Sequence, residues 1–229
     1  MSEGIIRLAE ALDSEDMIGF TKSFVADLEK GQNIVKDELM PWLSKLRHSW
    51  EGVLFLGMGG SAAGGDFIST LADRTGTAPI RTHRGYNLPS WWNENWLVVS
   101  TSYSGNTEET IEILKNSRDT SAKVCGFSSG GLLENYCEKN KIPFQNISMI
   151  HSPRASFTKF LYSILNVLEP VIPIKREEIR ESILSLEKTK KIISSQNLTS
   201  GNKALELAKF TRDITAIYYP AGLGSVAVR

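Results

Sequence analysis

Trp96-Leu97-Val98-Val99-Ser100-Thr101-Ser102-Tyr103-Ser104-Gly105-Asn106-Thr107-Glu108-Glu109-Thr110 is the stretch whose reading decides the fold. Leu97-Val98-Val99 is an apolar run suited to a buried parallel strand. A loop of hydroxyls follows, from Ser100 to Ser104, and Gly105-Asn106 permits a tight turn. Thr107-Glu108-Glu109 then opens a helical run that continues through Lys115. A strand ending in small hydroxyl residues against a helix N-terminus is an anion site, because free backbone N–H groups and the helix dipole favour negative charge there. No lysine lies in the loop, so the anion would be held by neutral donors, which suits a phosphate monoester that must enter and leave. The structural alternative is a serine-rich turn with ordinary capping, Asn106 as N-cap and Glu109 three positions on. For Glu108 and Glu109 that role, as cap and dipole partners, is the expectation. For the hydroxyls, a second loop of the same kind upstream favours function.

That second loop follows Val53-Leu54-Phe55-Leu56, a short and wholly apolar strand. Gly57 to Asp66 reads as a glycine-rich loop, with Phe67 to Ala72 in helical register after it. The glycines let backbone approach a ligand closely, and Ser61 adds a hydroxyl near the helix start. Further strands are expected at 79–83, 123–127 and 143–147, and helices at 132–138 and 157–168, the latter with Phe160, Leu161, Ile164, Leu165 and Leu168 on one apolar face. Alternation of short apolar strands with helices argues for a parallel sheet covered on both faces.

Three units follow from this pattern. Residues 1–50 look helical, broken near Gly31 and kinked or restarted at Pro41, and are expected to cover one face of the sheet. Residues 51–169 form the sheet domain. Pro170 and Pro173 mark a boundary, and 170–229 holds linker helices at 177–193 and 202–210, a strand from Ile214 to Tyr219, and a glycine–serine loop at 222–225. A strand, a loop and four more residues cannot bury their own faces. The expectation is the start of a second α/β unit and a chain that is a fragment; the alternative is a tail packed onto the first domain.

Composition narrows the partners. The 229 residues are 41% hydrophobic, with 26 Lys+Arg against 26 Asp+Glu, so no net charge argues for nucleic acid or an anionic membrane. No apolar run reaches membrane-spanning length, and the charged N-terminus lacks a signal-peptide core. Cys125 and Cys137 have no metal-like spacing, which points to reduced thiols and a cytoplasmic protein. Gly57, Gly59 and Ala62 fit a dinucleotide fingerprint loosely. The second strand, however, ends in Thr82-His83-Arg84 with no carboxylate for a ribose, leaving NADP, through Arg84, as a minor alternative. A phosphate-binding loop of the Gly-Lys-Ser/Thr type is absent.

The paired loops GMGGS (57–61) and SYSGNT (102–107) resemble the sugar isomerase (SIS) domain, and more closely the bifunctional phosphoglucose/phosphomannose isomerase family. LGMGGSAAGGD (56–66), GYNLP (85–89), STSYSGNTEET (100–110), SPRAS (152–156) and GLGSVAVR (222–229) carry the resemblance, in the family's order, from roughly Glu51 onward. It implies tandem SIS domains, each an αβα sandwich with a five-stranded parallel sheet, and a homodimer. By motif, Ser61, Ser102, Ser104 and Thr107 hold the phosphate of glucose 6-phosphate or mannose 6-phosphate, and Gly59 and Gly60 bring backbone amides to the sugar. Arg154 stabilises an enediolate as C1 and C2 exchange a proton to give fructose 6-phosphate. The resemblance implies no cofactor and no metal. The family's glutamate base, ring-opening histidine and lysine lie beyond the GS-x-A-x-R motif, so this chain is expected to carry the phosphate site without the base. His151 is expected to be a turn histidine, with substrate contact as the alternative; His48 and His83 read as surface or loop residues. A non-catalytic sugar-phosphate sensor is the rival function, though the acidic N-terminal helices (Glu3, Glu10, Asp13, Glu15, Asp16) lack the basic face of a DNA reader.

Overall fold

Side chains alternate across a strand, and that alternation sorts the apolar runs into two cores. The computed structural model describes residues 4, 7–8, 11–34, 39–46, 50–75, 78–153, 155–172, 174–197, 199–212 and 214–215. Strands β1 (Gly52–Leu56), β2 (Ile80–His83), β3 (Trp96–Ser102), β4 (Val124–Ser128) and β5 (Phe144–Asn146) form one five-stranded sheet in the order β2-β1-β3-β4-β5. Every pairing is parallel. From Met17 onward the helices among the described residues are α1 (Met17–Gln32), α2 (Leu39–Lys45), α3 (Gly59–Thr75), α4 (Glu108–Arg118), α5 (Gly131–Lys139), α6 (Phe157–Val167), α7 (Arg176–Ile193) and α8 (Lys203–Phe210). Val53, Phe55, Leu97, Val99 and Phe127 face a core shared with α3 and α6, to which Leu28 of α1 and Leu39 and Leu43 of α2 also belong. Leu54, Leu56 and Val98 face the second core, closed by Ile111 and Leu114 of α4 and Leu133 and Cys137 of α5. The expected two-faced parallel α/β sandwich is therefore the fold. The chain turns outward from β1 to β2 and returns to the other side for β3, so the strand order reverses between β1 and β3, where open α/β sheets bind ligands.

Four local expectations need correction. Ser100, Thr101 and Ser102 belong to β3, not to the loop after it. They pair with Gly126, Phe127 and Ser128, and the Thr101 hydroxyl donates to the Leu56 carbonyl at 2.9 Å. The expected loop from Gly57 to Asp66 is mostly helix, since α3 starts at Gly59. Gly65 within it is a packing allowance: a Cβ there would sit 2.7 Å from Thr82 Oγ1 and 3.0 Å from Phe55 Cβ. Tertiary packing thus overrides poor helix propensity.

Gly31 does not break α1, which runs to Gln32. A Cβ at Gly31 would lie 2.6 Å from the Lys159 carbonyl, so this glycine lets α1 lie directly on α6. With α1 against it, α6 is buried on all sides from Thr158 to Val167 instead of on one face. Two of its long polar side chains are paired, Lys159 Nζ donating to the Ser148 carbonyl and hydroxyl at 2.7 Å each and Asn166 Nδ2 to the Gln32 carbonyl at 2.7 Å, while the buried Thr158 and Ser163 hydroxyls have no partner among the described residues. Pro41 sits in the first turn of α2, where a missing N–H costs nothing. The linker helices appear as α7 and α8, both without buried residues. The strand expected at 214–219 falls, from residue 216 onward, outside the described residues, as does the glycine–serine loop at 222–225.

Candidate functional site

Because β1 and β3 are hydrogen-bonded neighbours, the loops at their carboxyl ends are brought side by side. One bond joins them: Ser61 Oγ, in the first turn of α3, accepts from Tyr103 N at 3.1 Å. Within the second loop Ser102 Oγ accepts from Gly105 N at 3.1 Å and lies 2.8 Å from Thr107 Oγ1. Ser104 Oγ accepts from Asn106 N at 3.3 Å. Thr107 is the N-cap of α4, yet its side chain makes no capping bond to the helix. Its hydroxyl is directed instead to Ser102, and the first-turn N–H groups lack that side-chain cap.

A cleft of about 140 Å³ opens between the loops. Gly60, Ser61, Ser104 and Thr107 line it, with Tyr103 and Phe157 as aromatic walls. Of the sequence-derived site residues, Gly59 and Ser102 do not line the cleft: Gly59 stands at the exposed start of α3 in a left-handed conformation (φ 52°), and Ser102 lies beneath Thr107. Arg154 lies outside the described residues. A hydroxyl offers one hydrogen and two lone pairs. With Ser102 accepting from Gly105 N, its hydrogen can pass to Thr107, leaving the Thr107 hydrogen for a ligand. Ser61, accepting from Tyr103 N, is free to donate in the same way. With the hydrogens placed so, both chains end in a donor, which is the polarity an anion requires, and such chains strengthen one another.

Other expectations resolve differently. Asn106 does not cap α4; its Oδ1 accepts from Leu132 N at 3.1 Å, at the start of α5. Glu109 does not complete a capping box but faces Tyr86 of the β2–β3 connection. The Glu109 charge pushes that phenol up, with burial, Glu108 and a Glu109 hydrogen bond adding to the effect. Arg84, the residue weighed for a 2′-phosphate, is ion-paired with Asp66. His83 Nε2 lies 2.7 Å from the Asn87 carbonyl, and His48 is outside the described residues. His151 is a turn residue whose ring meets α1 rather than the cleft, Nε2 lying 2.9 Å from Asp27 Oδ2. Cys125 and Cys137 are buried, which pushes both thiols up, Cys137 to about 12.

Sequence reasoning noted Tyr103 only as one hydroxyl among several. Its backbone belongs to the phosphate-type loop, while Oη accepts from Ile150 N at 3.2 Å and lies 3.3 Å from the His151 carbonyl, to which it donates. A larger, mostly apolar groove of about 500 Å³ lies between α1, α7 and α8. It is lined by other elements and shares no residue with the cleft between the β1 and β3 loops. Among the described residues no helix is long and apolar enough to cross a membrane.

No family model matches the chain. Two curated proteins similar to it are each named bifunctional phosphoglucose/phosphomannose isomerase. That of Caldicellulosiruptor bescii is 32% identical over 125 residues, covering 52% of this chain and 37% of the relative. That of Thermoplasma acidophilum is 30% identical over 182 residues, covering 79% and 54%. The chain therefore spans about half, or less, of the length of these curated relatives. Among solved structures, the tagatose-6-phosphate ketose/aldose isomerase of Escherichia coli superposes with a TM-score of 0.54 at 20% identity, over 74% of this chain and 53% of that one. That likeness is one of fold.

Proposed function

We propose that this chain, a homologue of the bifunctional phosphoglucose/phosphomannose isomerases with the sugar isomerase fold, binds the phosphate of a sugar 6-phosphate at the β1/β3 switch point. The reaction it serves is aldose–ketose isomerisation, glucose 6-phosphate or mannose 6-phosphate to fructose 6-phosphate, through a cis-enediolate. The observation that carries this reading is the pair of hydroxyl sites, Ser61 from one loop and the Ser102–Thr107 pair from the other, each able to donate to a ligand, beside a helix start without a side-chain cap.

In this reading Ser61, Ser104 and Thr107 hold the phosphate and Ser102 orients Thr107. Gly59 and Gly60 present backbone to the sugar; a Cβ at Gly60 would meet nothing within 4 Å, so the protein's own packing does not demand glycine there. Arg154 stabilises the enediolate charge. Moving a proton between adjacent carbons needs a base within hydrogen-bond reach of both. The described residues lining the cleft include no carboxylate and no imidazole. At about 140 Å³ the cleft is also smaller than a complete small-molecule site, commonly roughly 300–1,000 Å³. The base and the remaining wall thus come from groups outside these residues. Residues 51–169 are the binding unit, 1–50 its cover, and 170–229 the passage to a second SIS domain in a cytoplasmic homodimer. The same lack of a base favours a second reading, a binding module that holds sugar phosphates without turnover.

The test is calorimetry and a coupled isomerase assay on the 229-residue chain, with the Thermoplasma acidophilum relative assayed alongside. Glucose 6-phosphate and fructose 6-phosphate should bind and glucose should not, with turnover far below the relative's. Turnover at the relative's rate would place the base inside these residues. Equal binding of glucose and glucose 6-phosphate would reject the phosphate site.

A further inference from the structure

Asp27 is a fully buried carboxylate on α1, a helix that sequence reasoning assigned to packing. It meets three donors at 2.9 Å each: Lys30 Nζ, Ser23 Oγ and His151 Nε2. Burial by itself would raise its pKa, but hydrogen bonds from Lys30, Ser23 and His151, together with the Lys30 charge, hold the carboxyl below its ordinary value of 3.8. Asp27 is therefore ionised near neutrality, and the His151 Nε2 facing it carries a hydrogen. The imidazole also lies against Phe20, ring centroids 4.4 Å apart. A buried charge is an expensive way to pack two elements, since apolar side chains of similar volume do it as well or better. What the charge adds is a fixed position for its partner.

That partner sits in the turn between β5 and α6. His151 N donates to Ser156 Oγ at 3.1 Å, and Ser156 Oγ to the His151 carbonyl at 2.9 Å. Ile150 N and the His151 carbonyl share Tyr103 Oη, at 3.2 and 3.3 Å. Pro153, within the turn, and Phe157, just after it, line the same cleft as Ser104 and Thr107. A continuous series of bonds thus runs from α1 through His151 to Tyr103, whose backbone is in the phosphate loop.

We propose that Asp27 and His151 are positioning residues for the sugar side of the cleft, the α1 carboxylate fixing the segment from Ile150 to Pro153 so that Pro153 and Phe157 stand at the separation from the hydroxyl loop that a sugar phosphate spans. This role rests on the sugar-phosphate reading above. Neither residue touches ligand; each acts through the turn.

The experiment compares His151→Ala, which removes the donor, with His151→Gln, which keeps an N–H able to reach Asp27; Ser23 and Lys30 still satisfy the carboxylate in both. Affinities for glucose 6-phosphate and for inorganic phosphate are measured by calorimetry, and backbone exchange at Ile150 and Ser156 by hydrogen–deuterium exchange. In His151→Ala, glucose 6-phosphate affinity should fall about tenfold, as for small misplacements of a binding wall. Inorganic phosphate, held by the hydroxyl loop, should stay within roughly twofold, since that loop keeps its own bonds. Exchange at Ile150 should accelerate, and His151→Gln should restore most of both effects. Parallel losses for the two ligands, or unchanged exchange at Ile150 with intact binding, would overturn the positioning role. If the unaltered chain binds neither anion, the sugar-phosphate reading itself fails and takes this role with it.

Discussion

The loop after β1 and the loop after β3 touch, yet they are built in opposite ways. After β3, nearly every group is engaged by the protein. Ser102 Oγ takes Gly105 N, the Gly105 carbonyl takes Leu133 N at 2.8 Å, and Asn106 takes Leu132 N. After β1, Gly59 and Gly60 are exposed, and a Cβ on either would meet nothing within 4 Å. One loop is a braced set of hydroxyls; the other is bare backbone. A site for a phosphorylated sugar needs both kinds of surface: fixed donors where charge concentrates, and close approach where the uncharged part of the ligand lies. The difference is invisible in glycine counts, because glycine serves internal packing in one loop and access in the other.

Gly105→Ala against Gly60→Ala tests this contrast most strongly. Gly105 has φ 72° and its added Cβ would collide with the Gly130 carbonyl, so left-handed strain and overpacking act together. Urea denaturation should show a loss of about 3 kcal/mol. Gly60→Ala should leave stability within about 0.5 kcal/mol, as at exposed sites free of such features, and weaken glucose 6-phosphate binding instead. Similar stability losses in both variants would erase the distinction. Next in size is Thr107→Val. The Ser102 hydroxyl keeps its bond from Gly105 N, so the fold is little affected. Sugar-phosphate affinity should drop by about 2 kcal/mol, the scale of a hydrogen bond to a charged group. Calorimetry showing equal losses for phosphorylated and unphosphorylated sugar would reject Thr107 as a phosphate donor.

Most of the sheet was legible because β1 and the first half of β3 are uninterrupted apolar runs bounded by turn residues. The serine loops were legible because hydroxyls at a strand–helix junction have a local reason to be there. What failed had its cause elsewhere in the chain. Gly65 of α3 and Gly31 of α1 looked like loop and break, since the Thr82 and Lys159 atoms that require them are unknowable before folding. The amphipathic pattern of α6 did not reveal that α1 would cover its other side as well. The placement of Ser102 beneath Thr107, rather than on the cleft, depended on how far β3 pairs with β4, to Ser102–Ser128. Asp27 gave no signal at all, because the imidazole that explains its burial is 124 residues away.

Ser61 is the residue at which the two loops meet, and it gives the smallest and most discriminating effect. Its hydroxyl is needed twice, once as acceptor for Tyr103 N and once, in the proposed site, as donor to phosphate. Ser61→Ala removes both. The Tyr103 N–H sits close to an open cleft where water can partly replace the lost acceptor, so the stability cost should be about 1 kcal/mol, the low end for an orphaned donor. Affinity for inorganic phosphate and for glucose 6-phosphate should fall together, because the lost donor addresses the shared phosphate. Ser61→Thr keeps the hydroxyl and should recover both properties. If Ser61→Ala loses stability but binds both ligands unchanged, Ser61 is a staple between the loops and nothing more. If it loses affinity without stability, the bond to Tyr103 N contributes nothing to holding the loops together, and each loop stands on its own interactions.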